Sequence, residues 1–221
     1  VSDFLAYLEG LVSRRRAAPG DPEVDVLTRL IEGRTDAASD GERLTASELL
    51  HNCIFLLNAG HETTTNLIGN GLHALLTQRS QYERLVAAPA LLATAVEELL
   101  RFESPLQLNN RLVTAALELG GTVIAPGSFL TLAIGAANRD PAIFPEPDRL
   151  DIARKPNLHL AFGHGAHACA GMNVARLEAR IAIGALARRF PRLALDGAAE
   201  RDPRIRFRGF RRLPVRLGAP V

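Results

Sequence analysis

Near the C-terminus, residues 162 to 171 read Phe162-Gly163-His164-Gly165-Ala166-His167-Ala168-Cys169-Ala170-Gly171. Three glycines in this run allow backbone conformations and close approaches that a side chain would forbid. The run directly precedes a helical pattern from Asn173 to Arg189. A cysteine at a helix N-terminus is stabilised as a thiolate by free N–H groups and by the positive end of the helix dipole. We therefore expect Cys169 to be a thiolate that holds something flat and bulky.

Three interpretations of Cys169 are open at this point. A single cysteine in a loop is most often a small buried hydrophobe. Together with His164 and His167 it is a candidate zinc ligand, although a fourth ligand and a metal-site spacing are missing. Haem iron with an axial cysteine also fits, because a thiolate donates electron density that favours O–O cleavage.

The spacing Phe-x-x-Gly-x-x-x-Cys-x-Gly, with a histidine two residues before the cysteine, resembles the haem-binding signature of the cytochrome P450 superfamily. The resemblance covers the whole chain, and Asn138-Arg139-Asp140-Pro141 is similar to soluble bacterial members. It implies a mainly α fold with small β-sheets, in which a long groove helix accompanies the cysteine-ligand loop. Residues 1–221 are then the C-terminal part of a single haem-thiolate domain that is incomplete at its N-terminus.

The resemblance also implies which residues bind the cofactor, heme b. Cys169 is the axial ligand of the iron, and two cationic side chains are expected to pair with the haem propionates, since buried carboxylates require charge-assisted partners. The cofactor-binding residues implied in this way are Cys169, His167, Arg111, Phe162, Gly163 and Gly171. His61 and His164 receive no role.

A long helical pattern from Ala46 to Thr77 carries Ala59-Gly60-His61-Glu62-Thr63-Thr64 at its middle. Glycine, histidine and β-branched threonine are poor residues for a helix interior, and threonine can bond back to a carbonyl and bend the helix. The patch is either a tolerated packing kink or an opened turn that forms a groove for oxygen and water. The resemblance implies the groove, with Thr63 stabilising bound oxygen and Glu62 delivering protons.

Glu98-Leu99-Leu100-Arg101 places opposite charges at i and i+3 of one helix. Such a pair is normally a surface ion pair of little energetic weight. Here it lies in an apolar helical pattern, where a buried pair requires further partners. By the resemblance, Arg149 closes a Glu–Arg–Arg network under the haem. This network is expected to hold the irregular segment that positions the cysteine loop.

The remaining patterns predict the other elements. Helical patterns cover residues 2–16, 81–87, 90–102 and a stretch opened by Asp21-Pro22, and Thr45 with Glu48 forms a capping box. Strand patterns cover 111–117, opened by Arg111, then 119–124 and 128–134, and residues 135–160 are irregular. The arginine-rich tail, 201–216, alternates with apolar residues, which is typical of half-buried strands rather than of a nucleic-acid-binding segment.

The composition indicates an ordinary globular protein. Of 221 residues, 47% are hydrophobic and 23% charged, and the net charge of +2 indicates neither nucleic acid nor membrane as a partner. Two cysteines in unrelated contexts, Cys169 and a core residue Cys53, predict a reducing, cytoplasmic compartment without disulfides. The first residue, Val1, and the single methionine, Met172, suggest a truncated chain.

The resemblance implies a monooxygenase that inserts one oxygen atom of O2 into a small hydrophobic organic substrate. Electrons are expected from a ferredoxin with its reductase. The alternative is a non-catalytic remnant, or a fragment with weak or no haem binding, and residues 1–221 alone are expected to be inactive. A peroxide-using or isomerising relative is disfavoured because Glu62 and Thr63 are both present.

Overall fold

The structure is a computed structural model that describes residues 2–33 and 44–219. The chain divides into two compact units, Val1–His61 and Glu62–Val221. Helices dominate, and all strands of the described residues are short and lie in the second unit. The predicted class, mainly α with small β-sheets, is therefore confirmed. Within the same residues, no helix has both the length and the apolar character needed to span a bilayer.

In the first unit, α1 (Ser2–Ala17) packs against α2 (Val26–Glu32). The prediction that Asp21-Pro22 opens the second helix is wrong, because Asp25 is the N-cap. Its Oδ1 accepts hydrogen bonds from the N–H groups of Leu27 and Thr28 at 3.0 and 3.2 Å. Asp25 also pairs with Arg15 of α1 at 2.7 Å, so one carboxylate both caps α2 and ties it to α1.

The long helix, α3 (Ala46–Thr77), has the predicted bounds. The capping box forms at its start: the Thr45 N–H donates to Glu48 Oε2 at 2.8 Å, and the Glu48 N–H donates to Thr45 Oγ1 at 3.2 Å. The helix is continuous through residues 59–64, so the predicted opened turn is wrong. Poor helix formers there cost at most about 1 kcal/mol each, too little to interrupt a cooperative helix of this length.

Only the later turns of α3 are buried. Leu67 and Leu75 are 1% and 0% exposed, whereas Phe55 is 66% exposed. At Gly71 an added Cβ would lie 2.9 Å from Leu99 Cδ1 and 3.4 Å from Ile183 Cδ1. The missing side chain therefore lets α3 approach two other helices of the second unit closely.

Those helices build the main core. α4 (Arg79–Ala87) is followed by a 3₁₀ turn (Pro89–Leu91), α5 (Leu92–Phe102), the short α6 (Ile134–Ala137) and α7 (Met172–Arg189). α7 packs against both α4 and α5. The largest apolar side chains of this core are fully buried: Leu67, Leu75, Tyr82, Leu85, Leu99, Leu100, Leu150, Ile152, Ile183 and Leu193.

The strands form four antiparallel pairs. β1 (Leu108–Leu112) pairs with β4 (Phe129–Ala133), and β2 (Leu117–Leu119) forms a hairpin with β3 (Thr122–Ile124). In the C-terminal segment, β5 (Ala194–Leu195) pairs with β8 (Val215–Arg216), and β6 (Glu200–Arg201) with β7 (Phe210–Arg212). β1 begins three residues before Arg111, because pairing with β4 brings two asparagines of low strand propensity into the sheet.

Candidate active site

The loop that carries Cys169 is fixed by its backbone. Gly163 and Gly165 have φ angles of 70° and 76°, in the left-handed region that favours glycine. The Cys169 N–H donates to the Phe162 carbonyl at 2.8 Å, and the Ala168 N–H donates to the Gly165 carbonyl at 3.0 Å. The 3₁₀ turn Gly165–His167 lies between these bonds. The cysteine is therefore presented by a closed loop.

Cys169 lies at the surface, outside the hydrophobic core. The residue is exposed, and α7 begins three residues later at Met172. A Cβ added at Gly171 would lie 4.0 Å from the sulfur, so the glycine keeps the space beside the thiol clear. Cys53 differs, because it is partly buried and burial raises the pKa of its thiol. It is not in the core as predicted, since the neighbouring turns of α3 are exposed.

In the described part of the chain, no set of ligands supports the interpretation of Cys169 as a zinc ligand. No three histidine, cysteine or acidic side chains of residues 2–33 and 44–219 come together as metal ligands. His164 and His167 are both exposed in the loop. Cys169 is the one cysteine that the loop offers as a ligand.

The two sequence-predicted propionate partners both have solvent-accessible side chains. Arg111 is half-buried in β1, and its Nη1 donates to the Asn110 carbonyl at 2.9 Å. His167 is exposed at the end of the 3₁₀ turn. Each side chain keeps hydrogen-bonding capacity for an anionic group.

Glu98 and Arg101 form a fully buried ion pair in α5. Both side chains are 0% exposed, and the guanidinium donates to the two carboxylate oxygens at 2.8 and 2.9 Å. Arg101 also donates to the carbonyls of Asn138 and Pro147, each at 2.9 Å. These bonds satisfy the buried charges and fasten α5 to the irregular segment, as a tolerable buried pair requires.

The second arginine of this network is Arg154, and the prediction of Arg149 is wrong. Arg154 Nε donates to Glu98 Oε1 at 3.1 Å, and its side chain is only 11% exposed. Arg149 turns its guanidinium outward to Glu146 and is 60% exposed, whereas its carbonyl accepts from Arg101 at 3.3 Å. Both arginines lie in the same irregular segment, so the sequence alone does not distinguish them.

On α3, Glu62 and Thr63 are both half-buried. The Glu62 carboxylate pairs with Arg204 of the C-terminal segment. Arg204 is itself held by Asp202, whose Oδ1 accepts from Arg204 Nε at 2.9 Å. Hydrogen bonds from Arg204 lower the pKa of Asp202 to about 2, and hydrogen bonds to Asp202 and Glu62 raise the pKa of Arg204. Sequence inspection missed this contact because the partners are remote in the chain.

A second charged cluster, also missed, lies next to the cysteine loop. Glu97, the neighbour of Glu98, accepts two hydrogen bonds from Arg176 of α7 and one from His159. The Arg176 guanidinium lies 4.7 Å from the centroid of the Phe162 ring. Both networks of α5 therefore reach the chain around Cys169, one through the irregular segment and one through α7.

Comparison with known proteins identifies the family. The cytochrome P450 family model matches residues 1–88 and 85–217. Cytochrome P450 107B1 of Saccharopolyspora erythraea is 47% identical over 220 residues, which is 98% of this chain and 53% of that protein. The biotin biosynthesis cytochrome P450 of Bacillus subtilis is 44% identical over 187 residues, 85% of this chain and 45% of that protein. The chain belongs to the cytochrome P450 family.

The solved structures agree. The crystal structure of P450BioI in complex with an acyl carrier protein that carries hexadec-9Z-enoic acid superposes with a TM-score of 0.90 and 42% identity. The match covers 98% of this chain and 54% of that one, so the chain spans about half the length of the relatives it matches. Membership of the family implies haem as the cofactor. The exposed single thiol and the clear space beside it fit that group.

Proposed function

We propose that the protein carrying this sequence is a haem-thiolate monooxygenase with Cys169 as the axial ligand of the iron. The observation that carries the proposal is the exposed thiol on a closed, glycine-kinked loop at the start of α7. Membership of the family supplies the class of reaction.

The loop residues have different proposed roles in binding haem. Phe162 accepts the Cys169 N–H and so sets the direction of the thiol, while Gly163 and Gly171 keep backbone and space free of side chains. Arg111 and His167 are the proposed partners of the propionates. The chemistry that a bound haem supplies is oxygen activation: two electrons and two protons are consumed, one oxygen atom enters the substrate, and the other leaves as water.

On α3, Glu62 is the proposed proton carrier, and Thr63 would supply the hydroxyl that passes a proton toward the cofactor. Glu62 suits the role because it is half-buried and retains some contact with solvent. Its partner Arg204 keeps the carboxylate turned toward the C-terminal segment. Proton delivery therefore requires Glu62 to leave Arg204, and Thr63 follows it directly on the same helix.

The network of Glu98, Arg101 and Arg154 is the proposed support of the cysteine loop. Arg101 and Arg154 together hold carbonyls at Asn138, Pro145 and Pro147. The Asn138 side chain continues the connection, since its Oδ1 accepts the Leu160 N–H at 2.7 Å just before the loop. The proposed role of the Glu98, Arg101 and Arg154 network is structural.

The proposed substrate is a small hydrophobic organic molecule, and the proposed electron donor is a ferredoxin with its reductase, in the cytoplasm. Named relatives include the biotin biosynthesis cytochrome P450 and 6-deoxyerythronolide B hydroxylase, which supports an organic substrate. The complex of P450BioI with an acylated carrier protein describes that protein's partner.

The test uses the whole protein that carries this sequence. After reduction and addition of CO, we expect the Soret band that is characteristic of thiolate ligation. Cys169→Ser removes this band, because the hydroxyl is a poor ligand, whereas Cys53→Ser leaves it unchanged. An unaltered spectrum in Cys169→Ser overturns the assignment of the ligand. No haem spectrum in the unsubstituted protein favours a non-catalytic remnant.

A further inference from the structure

Arg176 and Glu97 join α7 to α5 beside the cysteine loop. Arg176 Nε donates to Glu97 Oε1 at 2.8 Å, and Arg176 Nη2 donates to Glu97 Oε2 at 2.9 Å. This is the bidentate geometry in which an arginine fork fits a carboxylate. Both side chains are 25% exposed, so the pair is screened less than a surface pair.

His159 also binds Glu97. It is 4% exposed, and its Nδ1 accepts the Ala161 N–H at 3.2 Å. Because Nδ1 is an acceptor, the ring proton lies on Nε2, which donates to Glu97 Oε2 at 3.1 Å. Burial alone raises the pKa of Glu97, but the bonds from His159 and Arg176 outweigh it and hold the pKa at about 2. The carboxylate is therefore a fixed anion at neutral pH.

The cluster reaches the cysteine through Phe162. Arg176 Cζ lies 4.7 Å from the Phe162 ring centroid, a cation–π distance, and the His159 ring lies 6.1 Å from it on a tilted plane. The Phe162 carbonyl accepts the Cys169 N–H. Arg176 lies seven residues after Cys169, in the second turn of the helix that begins at Met172, so its charge lies close to the loop that carries the sulfur.

We propose that Arg176, held by Glu97, is a positioning residue for Cys169 that acts in two ways. Its guanidinium face fixes the Phe162 ring and hence the carbonyl that directs the cysteine. Its charge, partly offset by Glu97, sets the electrostatic potential at the sulfur and at the iron bound to it. The inference rests on the proposed function and names two residues that act on Cys169 through Phe162 and through their charges.

The two charges make opposite predictions for the midpoint reduction potential of the haem iron. Reduction adds one negative charge, which a nearby cation stabilises. Arg176→Gln therefore shifts the potential to more negative values, and the isosteric Glu97→Gln shifts it to more positive values. Arg176→Lys keeps the charge but not the fork, so its potential stays close to that of the unsubstituted protein. Arg188→Gln, an exposed change of the same charge in the last turn of α7, is the matched control.

The positioning effect has its own measurement in the apoprotein. We expect the Cys169 amide to exchange its hydrogen faster in Arg176→Gln and in Arg176→Lys, because the Phe162 carbonyl that accepts this hydrogen is then held less firmly and the loop opens more readily. Arg188→Gln leaves the exchange rate unchanged.

If the potential moves in the same direction in Arg176→Gln and in Glu97→Gln, the electrostatic part is overturned. A change in how firmly the cysteine loop is held would shift the potential the same way in both variants. An unchanged exchange rate in both Arg176 variants overturns the positioning part. If the unsubstituted protein lacks the thiolate-type CO spectrum, the proposed function fails. The exchange measurement then still decides whether Arg176 holds the loop.

Discussion

Glu62 on α3 and Arg204 in the C-terminal segment form an ion pair between residues 142 positions apart in the chain. Asp202 accepts hydrogen bonds from Nε and Nη2 of the same guanidinium. Arg204 therefore restrains Glu62, the proposed proton carrier, and Asp202 in turn restrains Arg204. This arrangement gives Glu62 a resting position and makes its release a separate step.

Arg204→Gln is expected to raise the rate of product formation a few-fold where proton delivery limits turnover, because Glu62 is no longer held at the C-terminal segment. The stability of the fold stays nearly unchanged, since the pair is partly exposed. Steady-state turnover in H2O and D2O measures the effect. Arg206→Gln, whose guanidinium lies over Phe207, is the control. A slower Arg204→Gln enzyme shows that the pair assists delivery and contradicts a restraint.

Thr63→Ala is expected to consume O2 and reduced nicotinamide as before while diverting them to hydrogen peroxide. The hydroxyl acts late, in the transfer of a proton, so coupling is lost while haem binding is retained. Peroxide formed per nicotinamide oxidised is the measurement. Thr65→Ala changes an exposed residue on another side of the same helix and leaves coupling intact. Undiminished coupling in Thr63→Ala removes the residue from the mechanism.

Arg101→Gln is expected to lower the free energy of unfolding by about 3–5 kcal/mol, because it leaves the Glu98 carboxylate buried without its main partner. Arg149→Gln removes only an exposed pair and costs less than about 1 kcal/mol. Urea unfolding of both variants at one pH gives the comparison. Equal losses would show that Arg149 belongs to the buried network after all.

The Glu97 cluster predicts a pH dependence of stability. The pKa of Glu97 is lowered from 4.5 to about 2 in the folded protein. A lowered pKa stabilises the fold above the unfolded value, and this stabilisation is lost as the pH falls from about 4.5 toward 2. Urea unfolding at pH 5 and pH 3 is expected to show a smaller decline for Glu97→Gln than for the unsubstituted protein. Glu118→Gln, on an exposed strand, keeps the full decline.

Residues 1–221 expressed alone are expected to associate or to bind haem weakly, and to show no monooxygenase turnover. On α7, Val174, Leu177 and Ile181 share one face and are 59%, 57% and 62% exposed. A contiguous apolar face of this kind promotes association. Sedimentation of the isolated chain tests this, and Leu177→Glu with Ile181→Glu is expected to reduce the association. A monomer with stoichiometric haem and product formation contradicts the prediction.

The sequence predicted those parts of the molecule whose determinants are local. The start of α3 follows from the capping box of Thr45 and Glu48, and the loop from its glycines. Contacts between residues that are remote in the chain could not be predicted from the sequence. Nothing local favours Arg154 over Arg149, and only the folded chain brings Arg204 to Glu62. The start of β1 was misplaced for the same reason, because pairing with β4 determines it.

The two adjacent carboxylates of α5, Glu97 and Glu98, limit where this helix can accept an inserted residue. An insertion of one residue just before Glu97 rotates the preceding and following turns relative to each other by about 100°. Glu98 and Glu97 then lose register with Arg154 and Arg176 at once, so α5 does not tolerate an insertion at this point. The hairpin of β2 and β3 is the opposite case, since its turn at Gly120 and Gly121 is exposed and open. A peptide tag or a reporter domain belongs there.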